Sequence, residues 1–225
     1  MRIADPEGGR PDTDLTARAR IRDAAVACFA REGFAASVRT IAQAAGVSPG
    51  LITHHFGSKA ALRAECDTEV LRRYTQVKHD AMDSPTTSFT HILSAPGATA
   101  DVTVYMLRAV QAGGQPARDF IEMLIDTARE VMAYSVQTGM VRPSRDEEAR
   151  LRYLTYQTLG AMLVQFITSP GTTPEEFIAS IQAGGQDQIL PTLELFTDGL
   201  LTDSTLLDQY LAYTQEHEEG TTHER

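Results

Sequence analysis

The chain has 225 residues, 42% of them hydrophobic, long enough to bury a sizeable core in one or two domains. Its two cysteines, Cys28 and Cys66, make no disulfide framework or metal-ligand cluster and suit a reducing cytoplasm. No run of 18 or more apolar residues suggests a membrane span, and the polar start MRIADPEGGRPDTD has no apolar segment of a secretory signal. The formal net charge of −10 seems to argue against nucleic acid, but its distribution reverses that. Residues 15–79 carry ten Lys/Arg against five Asp/Glu, whereas residues 80–225 carry eight against 21. Positive charge is confined to one N-terminal segment, as expected of a module that approaches phosphate with an acidic body behind it.

In chain order, residues 1–12 read as a disordered arm, with Pro6, Gly8, Gly9 and Pro11 and almost nothing apolar. A first helix is expected from about Thr13 to Glu32, with Ile21, Ala24, Ala25, Cys28 and Phe29 as its inner stripe and Gly33 as its end. Ser37 can cap a second helix whose buried stripe is Val38, Ile41, Ala42 and Ala45. Gly46 supplies a turn, Ser48 caps a third helix, and Pro49 takes its first position, where a missing N–H costs nothing. Helix, glycine turn, helix is the layout of a helix-turn-helix, whose second helix lies in the DNA major groove. A fourth helix starts at Ser58 and fades near Pro85.

Beyond Pro85 everything again reads as helix, so the fold class is all-α. Segments are expected near 86–94 and 98–112, then from Pro116 to Thr138 and from Ser144 or Arg145 to Thr168. Thr173-Pro174-Glu175-Glu176 is a capping box opening a helix that Gly184-Gly185 interrupts and residues 187–201 resume. Ser204 caps a last helix to about His217. The organisation is an arm over 1–12, a helix-turn-helix domain over 13–60 and a larger helical domain over 61–225.

The short third helix leaves few side chains for base edges. Pro49, Gly50, Leu51, Thr53 and His54 are its outward positions, while Val47, Ile52 and Phe56 face the core. Leu51 can meet a thymine methyl, and Thr53 a base or phosphate. His54 and His55 offer N–H donors to phosphate, or else pack as a partly buried pair against the first helix. They are no metal site, because adjacent helical residues diverge by about 100° and no third ligand is near. Lys59, in the first turn of the fourth helix, sits where a cation is unfavourable, a cost that makes sense if phosphate binds there. Ser37, Thr40 and the cap Ser48 complete the DNA-facing set.

Residues 15–65 resemble the TetR family of transcriptional regulators. The resemblance rests on Gly33-Phe34, Ser37-Val38-Arg39, Ile41-Ala42, Ala45-Gly46-Val47-Ser48, Gly50, Ile52, His55-Phe56 and Ser58-Lys59 with Leu62. Thr53 stands where the family often has tyrosine. The resemblance implies that Arg39 reaches a base or phosphate and that the C-terminal helices surround a ligand cavity. Tyr105, Met106, Phe120, Met123, Tyr153, Tyr156, Gln157 and Phe166 are the pocket candidates, with Leu124 beside them and Arg108, His91 and Gln157 as polar anchors. It further implies a homodimer built from residues 145–168 and 187–201, in which Ile189, Leu193 and Phe196 face the two-fold mate. The expected partners are a palindromic double-stranded DNA operator and a small, mainly apolar ligand, uncharged or cationic, that releases a repressor from it. No cofactor is implied. A ligand-insensitive architectural DNA-binding protein and a helical enzyme are the alternatives. Against an enzyme, no nucleophile–base pair, metal cluster or phosphate loop stands out.

Overall fold

Local capping signals set the element boundaries in the computed structural model, which describes residues 12–82, 98–169, 171 and 173–222. These residues form nine α-helices and no strand. They are α1 (Asp12–Glu32), α2 (Val38–Ala45), α3 (Pro49–Phe56), α4 (Lys59–Met82), α5 (Ala98–Gln111), α6 (Gly114–Gln137), α7 (Glu147–Thr168), α8 (Pro174–Thr197) and α9 (Thr205–Thr222). The fold is all-α. No helix among the described residues is long and apolar enough to cross a membrane.

The caps act as the residue types dictate. Ser37 Oγ accepts from Thr40 N–H at 3.0 Å, and Gly46, at φ 64°, closes α2 by donating to the Ala42 and Gln43 carbonyls. Ser48 Oγ accepts from Leu51 N–H at 3.3 Å, and Ser58 Oγ from Ala61 N–H at 3.0 Å. At the head of α8, Thr173 and Glu176 exchange the two hydrogen bonds of a capping box, at 2.8 and 3.2 Å.

Several expectations are corrected. The glycine pair at 184–185 does not interrupt α8, and Pro191 also lies inside it. Each glycine costs a helix only about 1 kcal/mol, which a strong cap and continuous neighbours can offset. The helix then stops at Thr197 rather than 201, ahead of Gly199 at φ 80°. The start of α7 is Glu147, because Asp146 provides the cap by accepting from Ala149 N–H at 2.9 Å. The last helix runs on to Thr222. The expected arm over 1–12, the segment near 86–94 and His91 lie outside the described residues, except for Asp12.

The chain divides into two compact units, between Ile181 and Gln182. The expected boundary near residue 60 lies inside the first unit, on α4. That unit is built around one core. Ile21, Ala25 and Phe29 of α1 join Ile41 and Ala42 of α2, Ile52 of α3 and Leu62, Cys66 and Val70 of α4. Tyr105 and Leu107 of α5 and Phe120 and Leu124 of α6 continue the same core. Phe29, Phe34 and Tyr105 pack tilted and edge-on as a ring cluster, with centroids 5.2–6.2 Å apart. The second unit consists of the rest of α8 and α9. Leu193, Phe196, Leu207 and Tyr210 are all exposed in it.

Candidate nucleic-acid interface and ligand cavity

The outer face of the helix-turn-helix is built from short, capped elements held from behind. Ile52 and Phe56 are buried, so the opposite side of α3 faces out, with Pro49, Gly50, Thr53 and His54 exposed. Leu51 is half-buried and packs against the core, which leaves only part of it for a base. Thr53 Oγ1 donates to the Pro49 carbonyl at 3.5 Å, leaving its lone pairs outward. Arg39 is exposed on α2, and Ser37 and Thr40 share a 2.9 Å hydroxyl contact beside it.

His55 does not join this face. Its side chain is only 6% exposed, with its ring against Phe56 and His54, so of the two readings for the pair the buried one holds for His55. Lys59 has a partner that sequence did not show. Its ammonium donates to the Phe34 carbonyl at 2.7 Å, tying the first turn of α4 to the bend after α1. The local cost of a cation at a helix N-terminus is met at least in part by this tie.

Sequence reasoning also missed Arg18. Its guanidinium donates to the His55 carbonyl at the end of α3, pairs with Glu65 of α4 and lies 4.5 Å over the Phe56 ring. One α1 side chain thereby fixes the end of the reading helix, satisfying a carbonyl with no intrahelical partner. A second cluster joins α1 and α4. Glu69, 7% exposed, accepts from Arg72 and Arg73 at 2.8–2.9 Å, and Arg22 stands at 3.5 Å. The Arg72 hydrogen bonds lead in holding the Glu69 carboxyl down to about 2. The Cys66 thiol is pushed up to about 12 by burial, and burial raises Cys28 too, so both are protonated, inert core thiols near neutral pH.

The body of the same unit contains a cavity of about 260 Å³. Tyr74 and Thr75 of α4, Thr103, Met106 and Leu107 of α5, Leu124, Thr127, Ala128, Val131, Met132 and Ser135 of α6 and Leu151, Leu154, Thr155, Thr158, Leu159 and Met162 of α7 form its wall. Of the eight expected pocket residues, only Met106 lines it. Tyr105 is fully buried and spends its hydroxyl on Asp67 at 2.7 Å, and Phe120 is 1% exposed in the core. Phe166 packs edge-on against Phe177 with centroids 5.2 Å apart. Met123, Tyr153, Tyr156 and Gln157 are exposed on the outer faces of α6 and α7. Leu124 lines the wall. Arg108 points the other way, donating to the Ala30 and Arg31 carbonyls at 2.6 and 2.9 Å. Periodicity finds an apolar helical face but not which neighbour it meets, so the liners of this cavity, such as Thr127, Val131, Leu154 and Thr158, carry no distinguishing signal in the sequence.

A basic helix-turn-helix head on an acidic, cavity-bearing helical body defines a class of DNA-binding regulators, and comparison with known proteins identifies the family. Residues 21–66 match the model of bacterial regulatory proteins of the tetR family, and residues 98–202 match the Tetracyclin repressor-like C-terminal domain. The chain is 39% identical over 207 residues to the HTH-type transcriptional regulatory protein RaaS of Mycobacterium tuberculosis, covering 91% of this chain and 96% of that one. It is 28% identical over 158 residues to the HTH-type transcriptional repressor KstR2 of Mycolicibacterium smegmatis, covering 64% and 77%. The crystal structure of the regulator FadR from Bacillus subtilis, in complex with stearoyl-CoA, shares the fold at 18% identity. Its TM-score is 0.52, over 81% of this chain and 99% of that one. The chain belongs to the TetR family and is a DNA-binding transcriptional regulator.

Proposed function

We propose that the protein is a repressor that binds a palindromic operator as a homodimer and leaves it when a small molecule fills the cavity. The observation that carries this reading is that α4 belongs to both sites. Its first turn is tied through Lys59 to the bend beside the reading head, and Tyr74 and Thr75, four turns on, line the cavity. A ligand that fits the cavity better in one α4 position than another shifts the population between DNA-competent and DNA-incompetent states, by its difference in affinity for the two. The exposed set Pro49, Gly50, Thr53, His54 and Arg39 supports DNA reading there, with the half-buried Leu51 contributing its outer edge. Ser37, Thr40 and Lys59 support phosphate contacts at its margin. KstR2 is named a repressor, which supports the sign of regulation, and the FadR structure holds stearoyl-CoA, which supports a small-molecule effector with a hydrocarbon part.

The test has two stages. Genomic fragments bound by the purified protein are selected and sequenced, and a two-fold symmetric motif is expected. Anisotropy of a labelled fragment is then followed during a screen of small molecules. Release by a compound that also protects the protein thermally supports the reading. A wild-type protein that binds one asymmetric half-site as tightly as the full site, or that no cavity-binding compound releases, would overturn it.

A further inference from the structure

The wall of the cavity restricts what can fill it. It carries no lysine, arginine, histidine, aspartate or glutamate. Its polar atoms are mainly the hydroxyls of Tyr74, Thr75, Thr103, Thr127, Ser135, Thr155 and Thr158, and four of these seven spend their hydrogens on their own helices. Thr75 Oγ1 donates to the Leu71 carbonyl at 2.8 Å. Thr127, Ser135 and Thr155 donate to the carbonyls of Met123, Val131 and Leu151, each at 2.9 Å. A hydroxyl bonded back to its own helix keeps only lone pairs for a visitor. Apart from the Tyr74 ring, the rest of the wall is aliphatic or thioether, from residues such as Leu107, Leu124, Val131, Leu154 and Met162. The cation beside the wall is Arg150, whose Nη2 lies 3.7 Å from Met132 Sδ. Its Nη atoms are engaged by the Glu147 carboxylate and the Arg142 carbonyl, and its Nε is buried without a hydrogen-bond partner.

Resting on the reading of this cavity as the effector site, we infer that it takes an uncharged, hydrocarbon-rich molecule whose polar group is a hydrogen-bond donor, such as an alcohol. An ion placed here is desolvated with no opposite charge in the wall to compensate. A group that only accepts gains nothing from the lone pairs of Thr75, Thr127, Ser135 and Thr155, whereas an alcohol, which both donates and accepts, can use these on three helices as well as the other hydroxyls of the wall. Size fits the same class. A cavity of about 150 Å³ holds a benzene ring, and drug-sized ligands occupy roughly 300–1,000 Å³. The volume here lies between, which suits about ten to fifteen non-hydrogen atoms.

Calorimetric titration of the wild-type protein with decan-1-ol, decan-2-one, decanoate and decylammonium tests this. The alcohol is expected to bind at least about tenfold more tightly than either ion, and about threefold or more tightly than the ketone. In the double variant T127V/T155V, which keeps shape but loses two acceptors, the alcohol's advantage over the ketone should shrink while ketone binding holds. Equal or tighter binding of decanoate or decylammonium, no binding of the alcohol, or an unchanged alcohol preference in the variant would each overturn the inference. Operator anisotropy in the same titrations separates it from the regulatory reading. Decan-1-ol that binds as expected and leaves DNA in place supports the ligand class and sinks the release mechanism.

Discussion

Glu69 shows how much a single side chain does where the reading head meets α4. Arg72, Arg73 and Arg22 surround its carboxylate and hold its pKa near 2, below the ordinary 4.5. A depressed carboxyl stabilises the fold above its unfolded pKa, and that contribution is lost as pH falls through the folded value. Urea unfolding of the wild type should therefore lose on the order of 2 kcal/mol from this group between about pH 4.5 and pH 2. A Glu69→Gln variant should be less stable at pH 7 by a similar amount and show a flatter acid limb. An acid limb as steep as that of the wild type would assign the effect to other carboxylates. Arg39 and Lys59 separate reading from holding in the same way. Arg39 is exposed, so Arg39→Ala should leave stability unchanged while shifting base preference at one operator position by about 1–3 kcal/mol. Lys59 donates to Phe34, so Lys59→Ala should weaken binding to all sequences and also cost about 1–2 kcal/mol of stability. Anisotropy at several salt concentrations, beside urea melts, distinguishes the two.

Between elements, stability comes from long side chains that reach the ends of distant helices. Arg108 of α5 binds the last carbonyls of α1, lies 5.3 Å from the Phe166 ring of α7 and sits 3.5 Å from where a Cβ on Gly33 would project. Burial lowers its pKa, but nowhere near neutrality for a guanidinium. Arg108→Met keeps the stem and removes the donors, so it should cost about 1.5–3 kcal/mol in a urea melt. A loss below about 0.5 kcal/mol would show that water replaces the guanidinium freely. Ties of this kind explain what sequence could and could not reveal. The caps at Ser37, Gly46, Ser48 and Thr173 were legible because cap and partner lie within a turn of each other. Arg18, Lys59 and Arg108 were not, because their acceptors lie 37, 25 and 78 residues away. The apolar stripes of α1 to α3 were legible because one face of each meets one core. The cavity was not, because α6 and α7 carry apolar residues on more than one side, and Tyr153 and Tyr156, large and aromatic, sit on the exposed side of α7 rather than in the cavity wall. The continuity of α8 was lost for a further reason: the small cost of two helical glycines was read as a break.

For the whole molecule, the unsolved quantity is the apolar surface the single chain leaves in water. On α7, Tyr153, Val164 and Ile167 are 66%, 63% and 53% exposed. In the second unit, Leu193, Phe196 and Tyr210 are 46%, 60% and 63% exposed, while the Ile189 side chain lies outside the described residues. Single exposed leucines are ordinary, but aromatic and branched residues gathered on α7 and within one small unit are what the proposed dimer would cover. A two-fold dimer covers such a surface with its own copy, and no second protein is needed. In the proposed dimer the two reading heads would stand about 34–36 Å apart, one turn of DNA, to match a palindrome. Phe196→Asp puts a charge where a partner must pack, yet removes nothing buried in the single chain. Its circular dichroism should match the wild type, while sedimentation at micromolar concentration should move from dimer to monomer. Operator affinity should fall by about a hundredfold or more, because two half-sites no longer bind as one unit. A wild-type protein that sediments as a monomer, or a Phe196→Asp protein that stays dimeric with full operator affinity, would remove residues 187–201 from the interface and leave α7 as the surface to test next.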